Sequence, residues 1–135
     1  MNKFLICLGL MLALGGCASP SGDMLSNNFT KINPISNTLE GYWSGSNGPY
    51  LVTYKFNGDG TGIACSSYNG KNSLDKFKIN NSVVYMQNGL KQTILSSTAS
   101  ELTLKVSYFG GATFRYIPDN ELINASPYCE KEFKH

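Results

Sequence analysis

Residues 83–94 read VVYMQNGLKQTI: two short runs suited to strands, broken by Asn88-Gly89. Asn-Gly favours a tight hairpin because both turn centres accept positive φ. This is the cleanest hairpin in the chain, and the same design repeats on either side of it. In LVTYKF, Val52, Tyr54 and Phe56 alternate with Leu51, Thr53 and Lys55. In ELTLKVSY, Leu102, Leu104, Val106 and Tyr108 alternate with Glu101, Thr103, Lys105 and Ser107. A period of two marks strands with one buried face. Turn residues stand at the joints: 57–60 (NGDG), Asn69-Gly70, Asn80-Asn81 and Gly110-Gly111. Strands are expected near 41–46, 50–57, 61–68, 73–79, 82–87, 90–97, 101–108 and 112–117, with a C-terminal strand or tail through Cys129. No helix signal of useful length follows the N-terminal leader. Short strands joined to their neighbours by tight turns make this an all-β chain, an antiparallel up-and-down barrel of about eight strands, in which closure removes exposed edges.

The N-terminus has a different character. Lys3 gives a basic flank, and Phe4 to Leu14 are almost wholly apolar. A helix of that length is about 16 Å long, too short for a hydrocarbon core of about 30 Å. A basic flank, a short apolar stretch and then small residues is the pattern of a cleaved secretory signal. The final residues, Leu14-Gly15-Gly16-Cys17, resemble the bacterial lipobox, which implies a lipoprotein acylated on Cys17 after loss of residues 1–16. The alternative is ordinary signal cleavage near Ala18-Ser19, with Cys17 discarded. Two acyl chains suffice for stable anchoring, at about 0.8 kcal/mol per buried CH₂. Ala18 and Ser19 follow the cysteine, with no Asp in second place. By resemblance to Gram-negative lipoproteins, this implies the outer membrane, with the domain on its periplasmic face.

Residues 17–38 are rich in Ser, Asn, Thr, Pro and Gly and carry no apolar period, so a disordered tether reaching roughly 25 Å is expected there. The domain itself is expected at 39–135. The formal net charge of +2 includes Lys3, which would leave with the signal. No basic cluster remains to suggest nucleic acid. Of the cysteines left after the leader and the lipid site, Cys65 and Cys129 most simply pair in an oxidising periplasm, stabilising the fold by roughly 4 kcal/mol in the chain-entropy model. The other possibility is that they stay apart and reduced.

The segment LEGYWSG carries Gly41-Tyr42-Trp43, similar to the Gly-x-Trp that begins the first lipocalin strand. The resemblance implies a small lipocalin-like barrel in which Trp43 plugs the closed end. It further implies that an arginine from a late strand lies against that ring. Arg115 is the only arginine in the chain, and guanidinium on indole is worth about 0.5–2 kcal/mol.

Little points to catalysis. The single histidine is His135, the last residue, so a histidine-dependent triad or metal site is not expected, nor is a cofactor. NGDGTG lacks the acid that closes a calcium loop, having Tyr68 at that spacing. Asp119, Glu121, Glu130 and Glu132 stand in polar, lysine-containing surroundings and read as solvated surface. The aromatic residues are the remaining resource, with eight tyrosines, seven phenylalanines and one tryptophan. An eight-stranded barrel can be plugged by its own side chains or hold one small ligand, and so many rings favour the plug. The loops at 45–50 and 108–113 are glycine-rich with aromatic tips, making Tyr50, Tyr108 and Phe109 candidate binding residues. The expected function is therefore non-enzymatic: an outer-membrane lipoprotein presenting a periplasmic barrel as a binding or envelope-support module, with the membrane as one partner through the anchor and an envelope protein or a small apolar ligand as the candidate other. The alternatives are a carrier of a small apolar ligand and an inhibitor of C-type lysozyme. The latter rests on a loose similarity of YFGGATFRYIPD to the inhibitors' Ser-Gly-Ala-Arg-Tyr-like segment.

Overall fold

A computed structural model describes residues 28–134. The leader, Cys17, the first part of the tether and His135 lie outside the described residues. The strands are β1 (Glu40–Asn47), β2 (Tyr50–Asn57), β3 (Thr61–Tyr68), β4 (Lys71–Asn80), β5 (Val83–Met86), β6 (Lys91–Ser97), β7 (Leu102–Val106) and β8 (Thr113–Pro118). Each pairs antiparallel with the next, and β8 returns to β1, closing an eight-stranded up-and-down barrel. The seam is short: Trp43 stands opposite Pro118 and Ser44 opposite Ile117. Gly45 keeps it tight, because a Cβ there would strike the Arg115 carbonyl.

The period-two faces fall as the alternation requires. Val52, Tyr54 and Phe56 point inward from β2, and Leu102, Leu104 and Val106 from β7; all six are buried. Rings fill the lower half of the interior. Tyr54 stacks on Phe56 and meets Phe77 and Tyr116 edge-on, and Phe56 meets Phe77 in the same way. Gly62 makes this possible. It sits opposite both Phe56 and Phe77, and a Cβ there would occupy the space of the Phe77 ring.

The turns divide into two kinds. At Asn69-Gly70 both residues hold positive φ, 49° and 78°, and join Tyr68 directly to Lys71. The Asn88-Gly89 hairpin differs from its expected form. Only Gly89 has positive φ, 94°. Gly89 N–H donates to the Met86 carbonyl, Leu90 N–H donates to Asn88 Oδ1, and Met86 N–H donates to the Leu90 carbonyl. The turn is thus one residue longer than a two-residue loop, and Asn88 contributes its side chain rather than a left-handed backbone.

Two segments depart from expectation. The stretch 28–38, expected as part of a loose tether, is bound to the barrel as a strap. Ile35 N–H donates to the Ile79 carbonyl, Asn37 N–H to the Gly58 carbonyl, and Asn80 Nδ2 to the Asn33 carbonyl. Lys78 Nζ lies 4.5 Å from the centroid of Phe29 and donates to its carbonyl. Polar composition hid these contacts because most are made by the backbone, which composition does not report. The C-terminal tail, expected as strand or coil, forms helix α1 (Pro127–Phe133). Its signal was present: Ser126 caps it by accepting from Cys129 N–H, and Pro127 opens the first turn, where a missing N–H is harmless. The Cys65–Cys129 disulfide is formed, and it pins α1 against the outer face of β3.

Candidate ligand-binding site

The barrel has two unlike ends. The strap, Leu39 and Trp43 occupy one. Trp43 is buried and donates from Nε1 to the Glu40 carbonyl. Gly41, at φ +82°, lets the Asn120 side chain lie over it and accept from Tyr42 N–H, giving the glycine of Gly-x-Trp its physical reason. Arg115 does not complete this end. It points out of the barrel, its side chain 76% exposed, 3.9 Å from Glu101. Parity excludes the expected pair: Tyr116 is buried in the interior, so its neighbour on β8 must face away.

The other end is open. Here a cavity of about 480 Å³ enters the barrel between the β1–β2, β5–β6 and β7–β8 loops. Val52, Ala64, Met86, Leu90 and Phe114 form its apolar wall. At its floor Tyr54 Oη donates to Gln92 Oε1 at 2.6 Å. The expected plug is therefore half the picture, with rings below and space above. The space arises on β3 and β4, whose inward positions near the mouth carry Ala64, Ser66, Ser73 and Asp75 rather than rings. Small and polar residues at inward positions were the sequence signal for a cavity, and the abundance of aromatics obscured it.

The three candidate loop residues all border this mouth. Tyr108 is buried with its ring 4.9 Å from that of Phe109, which is 75% exposed. Tyr50 faces Tyr68 across the rim at 5.4 Å. Asp75, which sequence reading passed over, lines the inner wall half-buried. Burial lifts its carboxyl above the ordinary carboxylate value. Burial also pushes the Tyr54 phenol up to about 12, and raises that of Tyr116 further, with electrostatic coupling to Tyr54 adding to it. The Tyr116 hydroxyl makes no hydrogen bond of proper geometry among the described residues.

The acidic residues expected at the surface sort differently. Asp119 is buried, accepting from Ser44 Oγ at 2.7 Å and from Asn124 N–H. It ties the C-terminal segment over the outer face of β1 and β2, a structural duty. Glu130 and Glu132 lie on α1, where Glu130 pairs with Lys134 one turn on.

A closed eight-stranded barrel with Gly-x-Trp at its sealed end and a cavity at the other is lipocalin architecture. The model of one such family, described as bacterial lipocalin LPS transport optimiser YedD, matches residues 26–133. The chain belongs to this family. No curated protein and no solved structure matches it. The YedD match begins just ahead of the strap and ends in α1, so both accessory segments belong with the barrel. Membership in this lipocalin family points to a binding protein of the bacterial envelope rather than an enzyme.

Proposed function

We propose that the protein is a lipid-anchored envelope lipocalin. Cys17 carries its acyl chains at the periplasmic face of the outer membrane, and the barrel mouth receives the alkyl part of an amphiphile. It acts by binding, and through binding supports the LPS transport named in its family's description. The cavity carries this reading: an apolar-walled space open at one end, within the range of pockets that take one small ligand. That volume suits a single alkyl chain or a small amphiphile, and excludes engulfing a whole multi-chain glycolipid.

Two experiments test it. Ala64→Phe places a ring into the cavity from its wall, and displacement of a neutral naphthyl fluorophore by a fatty alcohol should then be lost while the circular dichroism spectrum is kept. Unchanged displacement would remove the cavity from the function. Cys17→Ser should abolish acyl labelling and release the protein from membranes, and the rate at which new LPS reaches the cell surface should fall. Continued labelling, or an unaltered rate, would count against the anchored role.

A further inference from the structure

The apolar wall accounts for the body of a ligand but not for its head. Among the described residues that line the cavity, Asp75 is the only charged one. It stands opposite Ala64, facing inward. The Asp75 side chain forms no hydrogen bond or ion pair among the described residues, and burial alone perturbs its carboxyl. The neighbouring hydroxyls of Ser66 and Ser73 bond to each other at 2.7 Å, and neither bonds to the carboxylate. A half-buried carboxylate with no partner costs stability unless something supplies a proton donor. Among the described residues, no Lys or Arg lines the cavity to do so.

We infer that the mouth selects amphiphiles whose head is a protonated amine, held by Asp75 while the alkyl body lies along Val52, Met86, Leu90 and Phe114. The inference rests on the carrier reading above and names the head group that reading leaves open. An ammonium donates up to three hydrogen bonds and matches an acceptor-only carboxylate. An anionic head, carboxylate or phosphate, meets like charge at the same place. The phosphate-bearing end of LPS is therefore not what enters, and a free or headgroup amine is. The aromatic rim of Tyr50, Tyr108 and Phe109 lies above, where it can cover the alkyl chain.

The test uses the mature chain from residue 17 with Cys17→Ser. It retains every described residue, with their closed barrel and disulfide. Isothermal titration compares decylamine, decanol and decanoate at neutral pH. The amine should bind roughly tenfold or more tighter than the alcohol, as expected for a hydrogen bond to a charged group, and decanoate should bind weakest. In Asp75→Asn the three should converge, and in Asp75→Lys decanoate should become the best. Equal binding of all three to the wild type, or an amine preference that survives Asp75→Asn, overturns the inference and leaves the carrier reading in place. No binding of any of the three overturns both.

Discussion

Single residues set the limits of this barrel. Gly62 is where two phenylalanine rings meet the backbone of β3, and Gly62→Ala should destabilise the fold by about 1–3 kcal/mol, read from the urea midpoint, because a Cβ there overpacks a ring that cannot leave. Asp75 should behave in the opposite sense. Its carboxyl is raised in the folded state from the ordinary 3.8, so the folded protein pays for its ionised form at neutral pH. Asp75→Asn should therefore raise the Tm of the empty protein, by at most about 3 °C given its exposure. The gain should shrink as pH falls through the raised value and vanish below the unfolded one; a gain that persists in acid would break the link to ionisation. Tyr54 titrates at the other extreme. Folded and unfolded forms are both neutral below 10.0, and the unfolded chain loses its proton first as pH rises. Stability is thus full below 10.0 and drains between there and about 12. Ultraviolet difference spectroscopy should show the buried phenols ionising only together with unfolding.

At the scale of elements, turn chemistry separates two Asn-Gly pairs that look alike in sequence. Asn69 sits at φ 49°, where a β-branched residue is strained, whereas Asn88 is not at positive φ and serves through its side chain. Asn69→Val should cost about 1–2 kcal/mol through backbone strain. Asn88→Val should cost less, losing only the part-buried bond from Leu90 N–H to its side chain; a larger loss at Asn88 in chemical denaturation would contradict the turn geometry. The α1 helix was missed for an allied reason. A seven-residue helix is too short for an apolar period, and only Ser126-Pro127 announces it. It stands because tertiary contacts hold it: Tyr42 packs edge-on against Phe133 at 5.1 Å, and the disulfide fastens Cys129 to β3. Substituting Cys65 and Cys129 by Ala together should lower stability by roughly 2–5 kcal/mol, with faster amide exchange in α1 than in β2 and β3. Uniform exchange throughout would show that the bridge serves the barrel as a whole.

For the whole molecule, strand order and sealing of the closed end depend on different parts of the chain. The strand order was legible because nearest-neighbour antiparallel pairing needs only a period of two and a tight turn between runs. Both are written in adjacent residues, from Val52-Tyr54-Phe56 to Asn69-Gly70. The inward register of Phe114 and Tyr116 was legible too, and it already forbade the inward Arg115 that the lipocalin resemblance implied. What local pattern could not convey was docking across distance. The strap binds through backbone groups of Ile35 and Asn37, Asp119 is buried by Ser44 from far upstream, and the mouth is open because Ala64, Ser66 and Asp75 converge there. The sequence alone therefore determined the strands, their faces and the up-and-down order, and it made Cys65 and Cys129 the simplest pair, which the structure then showed bonded. Each of these rests on stereochemistry over a few residues or on the chemistry of two remaining thiols. Only the tertiary structure decided that the barrel is half filled, that residues 28–38 form a strap, and that one carboxylate stands alone in the cavity among the described residues. Volume and the absence of a partner are properties of the space between elements, and no single element carries them.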